Sequence, residues 1–214
     1  MIDYDKAATK AAELLVRFNV RSSPISPLPI LEQLGNVIVT TYADISDSSG
    51  ICQRELIPLF GRNRDAITSI HEDGGNTVYI VAYNSFLPYS MIQRALAREL
   101  GHIVLRHTES SQDNSAEAEC FSYHLLCPRP LIHAIQTTGM RITKDMLASL
   151  TGIFDQHLSV MRKLPRTYVS PGLNRFVRNQ FLPFVINFFD YCRAVMNDGS
   201  AIADFGTYMD NYEE

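Results

Sequence analysis

The chain has 214 residues, a formal net charge of −4, and 46% hydrophobic against 20% charged residues. That length suits one domain, or one with a small appendage, and the balance is that of a globular chain able to bury a core. The acidic total excludes a general nucleic-acid-binding signature, and no apolar run approaches the roughly 18 residues of a membrane span.

The start, MIDYDKAATKAAELL, is acidic and helical, unlike the basic-then-apolar pattern of a signal peptide. Ala8, Ala11, Leu14, Leu15 and Phe18 recur at helical spacing and predict a helix over Tyr4 to Phe18. Prolines then restrict the chain, and Pro27 to Leu34 suits a short helix closed by Gly35. VIVTTY from Val37 reads as a strand, and SSGICQRELIPLFGR reads as a second strand region broken by a turn. AITSIHE and NTVYIVAY, joined by DGG, read as a β-hairpin in which Gly74 and Gly75 tolerate positive φ. The pattern then turns helical. Ser90 is the expected N-cap of a helix from Met91 to Leu105, and a further helix covers Ser115 to Leu126 before Pro128. The fold class is α+β: a small antiparallel or mixed sheet packed on two site-bearing helices, followed by a helical C-terminal region. Cys52, Cys120, Cys127 and Cys192 form no CxxC pair, so reduced thiols in a cytoplasmic protein are expected rather than a disulfide framework.

Arg98-Glu99-Leu100-Gly101-His102 has the HExxH frame with its first histidine replaced. In the intact motif two histidines four residues apart share one helical face and bind zinc, and the glutamate between them moves the proton of the metal-bound water. A third ligand must come from elsewhere, and SAEAECFSYHLLCP offers Glu117 at the start of the next helix, where the helix dipole favours a carboxylate.

RALARELGHIVLRH, a polar loop and EAECFSYHLLCP together resemble the ImmA/IrrE family of zinc metallopeptidases. The resemblance covers about Asp5 to Pro128 and extends more weakly to about Leu164. It places Glu99 on the general base, His102 on the second zinc ligand and Glu117 on the third, with Ala118, Phe121, Leu125, Leu126 and Pro128 on packing positions. It implies a helix-turn-helix transcriptional repressor as the partner, in control of a mobile element or a stress response, with substrate added as a strand at a sheet edge near Thr77 to Tyr83.

The departures carry chemistry too. Arg98 cannot ligate zinc, because a guanidinium stays protonated and offers no lone pair. With His102 and Glu117 alone, zinc binding is expected to be weak, several kcal/mol short of the roughly 10–16 kcal/mol of tight structural sites. Arg98 is instead expected to bridge Glu99 and Glu117 and replace the metal's charge with hydrogen bonds. Glu119 stands where the family has asparagine. His107 lies five residues past His102, about 140° away around the helix, so it is expected to face elsewhere as a histidine hydrogen-bonded at the helix end, and His124 lies about 10 Å along the axis from Glu117. His71, His133 and His157 have no ligand spacing.

Further on, Lys144 to Leu150, a turn at Gly152 and a helix to about Leu164 have helix-turn-helix spacing. Asp155 and the acidic total oppose direct DNA binding, and a packing hairpin is expected. Phe176, Phe181, Phe184, Phe188 and Phe189 form an aromatic stripe expected to join the core, with Pro183 starting a new helix or a kink; the tail DFGTYMDNYEE is expected to be mobile. The expected organisation is residues 1–130 as a metallopeptidase-like domain, 131–165 as a helical extension and 166–214 as C-terminal helices and tail. Two functions stay open: a repressor-binding protein whose peptidase chemistry Arg98 has impaired, and an active zinc endopeptidase using Glu99 as general base.

Overall fold

The computed structural model describes residues 2–52, 54–55, 58, 65–109, 111–139, 141–153, 159 and 164–198. Helix α1 spans Tyr4–Arg17, and the Asp3 side chain caps it by accepting from the Lys6 N–H at 2.8 Å. Pro27 opens the short α2, Pro27–Glu32, and Gly35 follows with φ +79°. Strand β1, Val37–Thr41, leads directly into α3, Tyr42–Ser49. The sequence reading has no helix there and continues with a strand. Instead Thr41 and Asp44 form a reciprocal capping box, and Gly50 closes α3 in the left-handed conformation. Past Gly50, Arg54, Glu55 and Pro58 are also helical; the rest of 53–64 lies outside the described residues.

β2, Ala66–Asp73, and β3, Asn76–Tyr83, form the expected hairpin, with positive φ at Gly74 and Gly75. β1 joins β3 in parallel, so the mixed sheet has the order β1-β3-β2. β3 is therefore the central strand, and the expected binding edge at Thr77 to Tyr83 is not an edge: from Tyr79 to Tyr83 both its flanks are paired. Among the described residues the open edge facing the site belongs to β2.

Helix α4, Tyr89–Leu105, starts earlier than expected. Pro88, not Ser90, is its N-cap residue, and its carbonyl accepts from Met91 and Ile92. Ser90 is buried in the first turn instead. Helix α5, Gln112–Leu126, is capped by Ser111. Then follow α6, Arg129–Thr137, α7, Lys144–Thr151, and α8, Pro171–Asp198. Gly152 ends α7 in the left-handed conformation, as the turn there predicts. The second helix of that expected hairpin and the tail fall largely or wholly outside the described residues.

Helix α8 runs through Pro183 rather than restarting there. Proline removes one backbone bond, whereas Phe181, Phe184, Val185 and Phe188 are buried on both sides of it, so packing holds the helix together. Two members of the aromatic stripe stay out of the core: Phe176 is 58% exposed, and Phe189 is half-buried with the Arg193 guanidinium over its ring. One hydrophobic core contains Leu15, Leu31, Val81, Leu100, Phe121, Leu131, Leu150 and Phe181, and so draws on all three expected segments. Gln180 ties α8 to the end of α1 by donating to the carbonyls of Leu15 and Val20, at 3.0 and 2.6 Å. Among the described residues no helix is long and apolar enough to cross a membrane.

Candidate functional site

The site lies where α4 crosses α5 beneath the sheet. Gly101 sets the spacing: a Cβ there would stand 2.9 Å from Phe121 Cδ1 and 3.2 Å from the Ala118 Cα and carbonyl oxygen. Only a hydrogen fits, so the helices meet backbone to backbone. Gly101 precedes His102 and Ala118 follows Glu117, so this contact brings those two side chains into one neighbourhood.

Glu99 is 4% exposed, and a buried carboxylate needs hydrogen-bond donors. Arg98 Nη2 donates to its Oε1 at 2.8 Å, and the Thr68 hydroxyl on β2 donates to Oε2 at 2.8 Å. The second carboxylate is satisfied differently. The Asp3 N–H donates to Glu117 Oε1 at 2.7 Å, and His107 Nε2 lies 3.1 Å from Oε2. The expected bridge from Arg98 to both glutamates is thus reduced to one arm. Arg98 pairs with Glu99, while the Asp3 N–H and His107 hold Glu117.

The expectation that His107 faces away is overturned. It assumed that α4 continues past Leu105. Arg106 instead adopts the left-handed conformation, φ 59° and ψ 44°, ends the helix and turns the chain back. His107 Nδ1 then lies 3.0 Å from His102 Nδ1. A carboxylate only accepts, so the proton between His107 and Glu117 sits on His107 Nε2. The result is a chain from His102 through His107 to Glu117.

Glu119 accepts from Arg94, one turn before Arg98, at 2.6 Å. Burial works against the Arg94 charge, but Glu119 outweighs it and raises its pKa. The neighbouring Tyr123 hydroxyl is pushed up to about 12 by burial and then by Glu119. His124 stands apart in a separate cavity of about 150 Å³, 3.1 Å from the Thr167 hydroxyl. His71 and His133 are exposed and His157 lies outside the described residues. Burial drives the thiols of Cys120 and Cys127 up to about 12, which leaves them unreactive packing groups.

A cavity of about 610 Å³ opens beside this cluster, lined by Thr68, Arg94, Arg98, Glu99, His102 and His107 among others. Glu117 lies outside that lining, behind His107. The donor set does not fit the zinc of an HExxH peptidase. The first ligand position carries a cation, and the third, Glu117, is turned to the Asp3 N–H and His107. No three His, Cys, Asp or Glu side chains among the described residues are disposed to hold a metal ion. No protein family matches the chain, and comparison with curated proteins and with solved structures returns no match.

The Arg98–Glu99 pair yields a stability prediction. Arg98→Met costs about 1–2 kcal/mol, because the buried Glu99 loses its guanidinium partner; a third of the arginine side chain is exposed, which limits the loss by screening. Arg98→Met/Glu99→Gln recovers most of it, since an amide needs no counter-charge. Urea unfolding of the wild type, both single variants and the double variant measures the coupling, and strictly additive losses would show that the pair contributes nothing.

Proposed function

We propose that this chain is a non-cleaving, ImmA/IrrE-like scaffold that binds a polypeptide in the cavity along α4, in the cytoplasm, with a helix-turn-helix transcriptional regulator as its partner. One observation carries the reading. Arg98 occupies the first-ligand position and holds Glu99 Oε1, while Thr68 holds Oε2, so the residue that would serve as general base has both oxygens engaged. A base tied to a permanent cation is a poor acceptor for a water proton. The retained groups still give a partner a concave polar cavity with the open edge of β2 alongside, which suits an added strand.

The competing reading, an active zinc endopeptidase, draws on the clustering of Glu99, His102 and Glu117 around one helix crossing. Metal analysis after zinc loading separates the two. Under the proposal the wild type holds far less than one zinc per chain and leaves a co-expressed helix-turn-helix repressor intact, while Arg98→His gains zinc. One tightly held zinc per wild-type chain, with repressor cleavage that Glu99→Gln abolishes, would establish the enzyme instead.

A further inference from the structure

A second cavity, of about 860 Å³, lies beyond the first under the tip of the β2–β3 hairpin. The two share Ile70, Tyr79, Ile103 and Thr108 as lining residues, so they are lobes of one track. We propose that this track takes an extended polypeptide segment whose acidic end lies over α1. The inference rests on the peptide-binding reading above and adds the chemistry of the segment.

The floor is apolar where the lobes join: Ile70 and Tyr79 face each other across the β2–β3 ladder, and Ile103 comes from α4. Ile70, a large apolar side chain, is left 38% exposed there. The first lobe is lined by both Ile67 and Thr68, which point to opposite faces of β2, so the lobe wraps the edge of the strand. Among the described residues β2 is laddered to β3 alone, and in an antiparallel pair alternate N–H and C=O groups of such a strand point outward. An extended segment supplies partners for them.

Charge sets the polarity of the track. Lys6, Lys10 and Arg17 from α1, with Arg106 from the end of α4, line the second lobe against two acids, Glu13 and Glu72. Lys10 is taken by Glu13 at 2.7 Å, and Glu72 accepts from the Thr77 hydroxyl at 3.0 Å. A hydroxyl does not cancel the Glu72 charge, so four cations against two acids leave a local surplus of two on a chain whose total is −4. The first lobe differs: Asp65, Glu99 and Glu109 stand there against Arg94 and Arg98, and both arginines are already paired, with Glu119 and Glu99, so it offers no cationic surplus to a phosphate backbone running the length of the track. A peptide with uncharged residues over the first lobe and two or three carboxylates over the second meets both conditions.

The test is fluorescence anisotropy on the full chain with three fluorescein-labelled probes: the peptide TVTVTEVEE, the same peptide with lysine for each glutamate, and a short oligouridine. The acidic peptide binds, more weakly as salt rises; the lysine peptide and the oligouridine do not. Lys6→Glu/Arg106→Asn, with asparagine chosen because it accepts the left-handed backbone at 106, weakens the acidic probe at least about tenfold while circular dichroism stays unchanged. Equal binding of both peptides, oligouridine binding as tight as the acidic peptide, indifference to the double variant, or no binding at all would each overturn the proposal. The zinc measurement stands apart from these outcomes. A chain without zinc that ignores the acidic peptide refutes the track alone, and one that holds zinc and binds the peptide refutes the non-cleaving reading alone.

Discussion

Gly101→Val lowers folding stability by about 3 kcal/mol or more, measured as a drop in the urea midpoint at unchanged slope. The first added carbon already meets Phe121 Cδ1 at 2.9 Å and the Ala118 backbone at 3.2 Å, and valine adds two methyls on a stiff χ1. On open surface, replacing a helical glycine is favourable by up to about 1 kcal/mol. Here overpacking outweighs that term, because the backbone at 118 cannot give way as a side-chain end can. Gly172 in α8 is the control: nothing lies within 4 Å of its built Cβ, so Gly172→Ala is neutral or mildly stabilising. Phe121→Leu relieves part of the Gly101→Val loss but not all, since the Ala118 contact persists. A Gly101→Val protein as stable as the wild type would show that α4 and α5 do not approach as described. The functional consequence is direct, because spreading these helices moves His102 away from Glu117.

Acid costs the protein stability through His124. Burial, with the charge of Arg129 adding to it, pushes this imidazole down to about 4 from an ordinary value of 6.5. The unfolded chain therefore takes up the proton first. Stability contributed by neutral His124 is fully present above pH 6.5, falls as pH drops below it, and is lost by about pH 4, where the folded form protonates as well. The shift corresponds to about 3 kcal/mol. His124→Gln removes this term. Urea unfolding at pH 7 and at pH 4 shows the wild type losing about 3 kcal/mol more than the variant over that interval. Equal losses would mean that the imidazole is not buried neutral against Thr167.

Much of the secondary structure was legible because its signals are local. The Asp73-Gly74-Gly75-Asn76 turn between two β-rich runs, the helical spacing along α1 and the glycine stop after α7 each depend on residues within a few positions of one another. Helix α3 had such a signal as well, the Thr41-Tyr-Ala-Asp44 capping-box pattern, but the β-rich run before it points to strand. The early start of α4 was hidden by Ser90, a good N-cap type, although Pro88 two residues before it fixes the turn. The place of β3 in the sheet was not legible, because strand order depends on which distant strand joins the hairpin, and β1 docks on β3 in parallel.

For the site, the sequence by itself determined the types and the helical face: Arg98, Glu99 and His102 on one helix, Glu117 on the next, and a guanidinium where a metal-binding imidazole would stand. Only the tertiary structure decided who holds whom. Asp3 reaches Glu117 across 114 positions and Thr68 reaches Glu99 across 31, separations over which no local pattern operates. His107 enters because a non-glycine residue, Arg106, takes the left-handed conformation and ends α4, and nothing in its identity announces that. Side-chain type follows from composition and spacing, whereas pairing among buried polar groups is settled by which donors the packed helices and sheet bring within about 3 Å.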